Sequence, residues 1–210
     1  MEKRGESAAS GLRAFGMNCT LKRGPETSST QKILDQVLQD LHSFGVDISD
    51  TRVVDHDVRP GVKTDEGDGD AWPALRRKVL DANILVLATP IWMGQPSSVA
   101  KRVLERMDAF LGEIDEQGRY PTFGRVAVVA VVGNEDGAHH VTAELYQALA
   151  DVGFTIPGGS SAYWVGEAMG SVNYVDLEKT PPKVADTIRT LACNAAHLAG
   201  LLKAHPYPAP

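Results

Sequence analysis

Two short runs of the chain are apolar almost without interruption, Ile84-Leu85-Val86-Leu87-Ala88 and Val126-Ala127-Val128-Val129-Ala130-Val131-Val132. Runs of this length without polar alternation mark strands covered on both faces, as in parallel sheets. Elsewhere the apolar period changes. Ile33, Leu34, Val37, Leu38 and Leu41 recur at the three- and four-residue spacing that gathers side chains on one helical face, and Gly45 supplies a C-terminal stop. Helices are predicted over Thr30–Phe44, Trp72–Asp81, Ser97–Leu111, Val141–Val152 and Lys183–Leu202. Less continuous runs, Leu12–Met17 and Val46–Val54, read as further strands, and a fifth is placed near Phe154 or over Ser160–Tyr163.

The alternation of strand and helix predicts an α/β protein with a doubly wound sheet. No repeat or low-complexity tract interrupts it, so residues 11–205 are expected to form one domain, with residues 1–10 as a flexible N-terminal extension. In such sheets ligands sit beyond the carboxyl ends of the strands, where successive connections leave in opposite directions. The loops to inspect are therefore Asn18–Ser29, Thr89–Pro96 and Gly133–His140.

Composition narrows the partners. The formal charge is -6, whereas phosphate backbones are held by clustered Lys and Arg, so a small molecule is expected and a nucleic acid is not. Any phosphate must be held locally, by amides, hydroxyls and a few basic side chains. The first ten residues lack an apolar segment, and Val126–Val132 is too short to span a bilayer, which makes a cytoplasmic protein without membrane insertion the expectation. Cys19 and Cys193 are far apart, with neither CxxC nor zinc-type His spacing. Cys193 falls in a helical pattern and is expected in the core. The acidic, Gly-rich stretch Lys63–Asp70 reads as a solvated, partly mobile loop.

The first loop brings Thr20, Lys22, Arg23, Ser28, Ser29 and Thr30 to the start of the first helix. Unpaired amides, hydroxyl donors and the positive end of the helix dipole make that an anion site, although Ser28 or Ser29 could simply cap the helix. Neither GxGxxG nor GxxxxGK[ST] follows this strand, which argues against Rossmann and P-loop sites. A phosphorylatable receiver would need a carboxylate where Thr89-Pro90 stands. In the second loop, Pro90 and Pro96 stiffen the turn, Gly94 permits close backbone approach, and Trp92 and Met93 offer polarizable surface to a flat heterocycle. In the third, Asn134 and neighbouring amides can bond a ring edge. Glu135, Asp136, His139 and His140 are metal-ligating types, but adjacent histidines diverge on a helix, and no metal site is expected.

Asn18-Cys19-Thr20-Leu21-Lys22, then Thr89-Pro90-Ile91-Trp92 with Gly94 and Pro96-Ser97-Ser98, then Gly133-Asn134-Glu135-Asp136-Gly137-Ala138-His139-His140 stand in order at three strand ends. With these motifs the chain resembles the flavodoxin-like NAD(P)H-dependent FMN reductases over essentially everything after Ser10. The resemblance implies a flavodoxin-like doubly wound five-stranded parallel sheet of order 2-1-3-4-5 with helices on both faces. It implies non-covalent FMN, its phosphate among Thr20, Lys22, Ser28, Ser29 and Thr30. Pro90, Ile91, Trp92, Met93 and Gly94, with Gly133, Asn134, Glu135 and Asp136, would border the ribityl chain and ring. NAD(P)H would be the electron donor, and a quinone, flavin or similar small molecule the acceptor. The flavin carries the redox chemistry, so no catalytic side chain is required. A homodimer or homotetramer is also implied, with Tyr163, Trp164 and Met169 candidates for a seam, a lid or plain local packing.

The family's first loop usually reads Gly-Ser followed by a basic turn, where this chain has Asn18-Cys19-Thr20. Cys19 there is either a redox-sensitive thiol near a positive helix end or a small buried filler. Two other readings stay open, a flavodoxin-type electron carrier and a flavin-free α/β regulatory or scaffold domain. Thr30 serves as the phosphate-site probe, with Thr122 and Ser161 as sites expected to tolerate loss of a hydroxyl.

Overall fold

A computed structural model describes residues 11–209; the predicted N-terminal extension, residues 1–10, lies outside them. The chain runs β1 (Arg13–Asn18), α1 (Ser29–Ser43), β2 (Asp47–Arg52), α2 (Trp72–Asp81), β3 (Ile84–Trp92), β4 (Gln95–Pro96), α3 (Ser98–Met107), β5 (Val126–Gly133), α4 (Ala138–Asp151), β6 (Ser161–Val165) and α5 (Pro182–Ala204). Strands pair in the order β2-β1-β3-β5-β6, every pair parallel. This is the flavodoxin-like doubly wound order expected from the sequence. The fifth parallel strand is the Ser160–Tyr163 option, beginning at Ser161, while Thr155 makes a single bridge to Val126.

The side chains of the strands divide by parity, because successive residues point to opposite faces. Val126, Val128, Ala130 and Val132 join α1 and α5 in one core, while Ala127, Val129 and Val131 join α2, α3 and α4 in the other. Gly16 lets α1 lie directly on β1, since a Cβ there would stand 2.9 Å from Leu34 Cδ1 and 3.1 Å from Asp50 Cβ. The connection after β1 leads outward to β2 and that after β3 leads the other way, which opens a crevice at their carboxyl ends.

Three expectations are corrected. The predicted loop Thr89–Pro96 is mostly strand. β3 continues to Trp92 and turns through Met93-Gly94 into β4, with Ile91 opposite Pro96 and Trp92 opposite Gln95. β1 stops opposite Ala88, so the outer part of β3 has one parallel neighbour only, the setting in which a strand accepts proline. Cys193 is exposed, because the buried stripe of α5 runs through Leu191, Ala192, Ala195 and Ala199, and the next position after Ala192 is turned about 100° around the axis.

The acidic stretch Lys63–Asp70 is the solvent-exposed loop expected from the sequence, and it is tied down from below. Arg106, fully buried on α3, donates to Arg59 O at 2.9 Å and Lys63 O at 2.7 Å, and pairs with the sealed Asp70 carboxylate at 2.7 Å. A count of charges along the chain treats each as solvent-facing and cannot see an arginine arriving from another element. Thr122, expected to tolerate substitution, is fully buried and its hydroxyl donates to Val152 O. Among the described residues no helix is long and apolar enough to cross a membrane.

Candidate functional site

At the carboxyl ends of β1, β3 and β5 lies a cavity of about 430 Å³, in the size range of small-molecule sites. One end is made where β1 passes into α1. Thr20, Lys22, Ser28, Ser29 and Thr30 all reach it. Ser28 is the N-cap, extended at φ -134° and ψ 125°, and its Oγ accepts from the Gln31 amide at 3.3 Å. The remaining amides of the first turn lack acceptors inside the helix, and Ser28, Ser29 and Thr30 line the crevice at the positive end of the dipole. The loop is held open by its own bonds: Asn18 Oδ1 accepts from Thr20 N at 2.9 Å, Thr20 Oγ1 from Lys22 N at 3.3 Å, and Lys22 Nζ donates to Thr27 O at 3.2 Å. Arg52 braces the same loop from β2, donating to Glu26 O at 2.9 Å.

The middle wall is Pro90, Ile91 and Trp92 of β3, and the far wall is Val132, Gly133, Asn134 and Glu135 at the end of β5. A buried hydroxyl cluster fixes β3 against β1. Ser97, the N-cap of α3, donates from Oγ to Cys19 O at 2.5 Å and accepts from Ala100 N at 3.1 Å, while its amide donates to Thr89 Oγ1 at 3.1 Å. Cys19 itself is fully buried, and desolvation pushes its thiol well above the ordinary range, so it is a packed filler rather than an activated thiolate. Met93, Gly94 and Asp136 do not reach the cavity. Met93 points to solvent from the hairpin turn, and Gly94 packs against Gly137, where a Cβ would stand 2.8 Å from Gly94 Cα. Asp136 accepts the Gly137 amide at 2.7 Å.

The remaining wall is Trp164 of β6 and, from the segment after it, Met169, Gly170, Asn173 and Tyr174. The sequence singles out Trp164 and Met169 but not Gly170, Asn173 or Tyr174, nor Leu21 and Val132 on the other walls. Tyr163, flagged with them, lies off the cavity and packs edge-on to His139. This segment is strapped down from two sides. Asn134 Nδ2 donates to Gly170 O at 2.8 Å and Asn134 O accepts from Met169 N at 2.9 Å. From α1, Lys32 Nζ donates to the carbonyls of Tyr174 (3.1 Å), Val175 (3.3 Å) and Leu177 (2.8 Å), and Ser29 Oγ accepts from Val175 N at 3.2 Å. The visible clue was the irregular, Gly-containing run Gly166–Tyr174 after the last strand. Of the partners that fold it back, Lys32 lies 142 residues from Tyr174 and Asn134 36 residues from Gly170.

The mouth is apolar. Trp92 is 54 % exposed and Met169 91 %, and beside Trp92 stands Met93, also 91 % exposed. Both methionines hold positive φ, 54° and 62°, a conformation that side chains with a Cβ rarely adopt and that accumulates at functional sites. No group of three or more potential metal ligands occurs among the described residues.

The cavity therefore offers a hydroxyl-and-amide anion cradle with one basic side chain, Lys22, at one end and aromatic and aliphatic walls at the other. That donor set and shape fit a flavin nucleotide: a phosphate at the cradle, a flat apolar head between the β3 and β5 walls.

Comparison with known proteins agrees. Residues 13–169 match the family model described as NADPH-dependent FMN reductase. The 8-demethyl-8-aminoriboflavin-5'-phosphate synthase of Streptomyces davaonensis is 32 % identical over 206 residues, 93 % of this chain and 80 % of that protein. The divalent metal cation transporter MntH of Mycobacterium bovis is 40 % identical over 201 residues, 92 % of this chain, but the chain spans only 29 % of that protein's length. Among solved structures, RosB with bound 8-demethyl-8-formylriboflavin-5'-phosphate superposes with a TM-score of 0.85 at 32 % identity, covering 93 % of this chain and 82 % of RosB. The apo NADH:FMN oxidoreductase EmoB shares the fold, with a TM-score of 0.62 at 17 % identity over 90 % of this chain and 88 % of its own.

Proposed function

The chain belongs to the NADPH-dependent FMN reductase family, and from that premise we propose that this flavin oxidoreductase takes electrons from NAD(P)H onto non-covalently bound FMN and delivers them to a small planar acceptor. One observation carries the reading: a single cavity joins the α1 cradle to an apolar wall at the ends of β3 and β5. FMN, when bound, supplies the two-electron chemistry.

The chain's own residues bind and orient. Thr20, Ser28, Ser29, Thr30 and Lys22 hold the phosphate with charge-assisted hydrogen bonds. Pro90, Ile91 and Trp92 stand on one side of the ring, and Gly133, Asn134 and Glu135 on the other. Trp164 and Tyr174, tilted at 43° with centroids 5.4 Å apart, close the rear and limit water. The exposed Trp92, Met93 and Met169 leave an apolar landing for donor and acceptor in turn, or for a second copy of the chain in a homodimer or homotetramer. The unit that does this is the 11–205 domain, acting in the cytoplasm.

Rapid mixing of FMN-loaded protein with NADH and with NADPH tests the reading. Bleaching of the flavin by at least one of them, and return of colour when a quinone or free flavin is added, is the expected result. If neither donor bleaches it, the reductase reading is lost in favour of an electron carrier. A second reading has its own support, the 32 % identity to a synthase whose name is that of a modified flavin nucleotide. In it FMN is the substrate. Flavin recovered after turnover with unchanged mass supports the reductase, and flavin of altered mass supports the second reading.

A further inference from the structure

The rear wall of the cavity is held by a helix face that mostly does not line it. Ser29, Lys32 and Gln36 stand three and four positions apart on α1 and form one polar stripe beside the buried stripe of Ile33, Leu34, Val37 and Leu41. All three grip the segment after β6. Ser29 Oγ accepts from Val175 N at 3.2 Å, and Lys32 Nζ donates to the carbonyls of Tyr174, Val175 and Leu177. Gln36 Oε1 accepts the Tyr174 hydroxyl at 2.5 Å, and its Nε2 donates to Thr180 Oγ1 at 2.6 Å. Of the three, only Ser29 reaches the cavity.

The stripe converges on one ring. Tyr174 is fully buried, with Lys32 Nζ 5.3 Å from its centroid and Gln36 on its hydroxyl, so it acts on the wall from behind. Its centroid lies 5.4 Å from that of Trp164, which is partly exposed on the cavity. An ammonium has three N–H donors, and three carbonyls of the strap take them, so Lys32 has none left for a phosphate. Where the strap sits decides the width that remains for a flat ring. Resting on the reading of this cavity as the FMN site, we infer that Lys32 is a positioning residue for flavin binding: it seats Tyr174, and through it Trp164, and so sets the wall that the ring packs against.

Fluorescence titration of FMN and of riboflavin into the wild type and Lys32→Met tests this, with a denaturant midpoint showing that the variant is folded under the assay conditions. Lys32→Met keeps the length of the side chain and loses its charge and donors. It is expected to weaken both flavins by the same factor, about tenfold or more, because the two share the ring and hydrogen bonds from a charged group are lost behind it. The visible absorption band of FMN bound at saturation should shift toward that of free flavin. A loss confined to FMN, with the bound spectrum unchanged, overturns the inference, since only a charge acting on the phosphate separates the two flavins. Unchanged affinity for both overturns it as well. If the wild type binds neither flavin, the FMN site itself is wrong, an outcome that involves no variant. Should Lys32→Met fail to fold, Gln36→Leu, which frees the Tyr174 hydroxyl and touches no charge, takes its place and must weaken both flavins alike; no loss there overturns the inference.

Discussion

Thr30 is the second residue of α1, 2 % exposed, and reaches the cavity beside Ser28 and Ser29. Removing one hydrogen bond to a charged group costs about 1.5 to 3 kcal/mol, so Thr30→Ala is expected to weaken FMN binding by roughly ten- to a hundredfold, read by fluorescence titration. Thr122→Ala should do the opposite. It strips a buried hydroxyl from Val152 O and lowers folding stability by about 1 to 2 kcal/mol in a denaturant titration, while FMN affinity stays unchanged. The cradle was legible because its hydroxyls are contiguous and stand where a strand passes into a helix. Cys193 was misjudged because one step around a helix separates core from solvent.

The hairpin β3–β4 carries Trp92, and it is seated on the start of α4 through two glycines. Gly137 holds φ 120°, and a Cβ there would meet Gly94 Cα at 2.8 Å and Gly94 O at 3.0 Å. Gly137→Ala must both strain its own backbone and push the hairpin outward. A loss of about 1 to 3 kcal/mol in stability is expected, together with weaker FMN binding. Gly112→Ala, with nothing within 4 Å, should change neither by more than about 0.5 kcal/mol. The parallel strands and helices were readable from periodicity to within a few residues. The extension of β3 through Thr89-Pro90-Ile91 was not, because Pro90 reads as a stop, and only the absence of β1 beyond Ala88 makes it acceptable. The strap Gly166–Tyr174 has no period at all. Its place is set by Lys32 and Asn134, which come from distant parts of the chain.

Across the whole molecule, the long connection between β2 and α2 is held to the body by the buried Arg106–Asp70 pair. Burial pushes the Asp70 carboxyl up, but the amides of Glu66, Trp72 and Arg59 and the Arg106 guanidinium outweigh it and bring it down to about 2. Its folded value lies below the usual carboxylate value of about 3.9, so its contribution is complete above that pH and is lost as pH falls from about 4 through 2. Denaturant midpoints measured against pH should drop across that window, and the drop should be shallower in Asp70→Asn, which starts from a lower midpoint at neutral pH. The central claim is that a phosphate at the start of α1 anchors a flavin whose ring lies between the β3 and β5 walls. Titration of the apo protein with FMN and with riboflavin tests it most directly. One FMN bound per chain, at least tenfold more tightly than riboflavin, is the predicted result, and equal affinity for the two, or no binding of either, contradicts it.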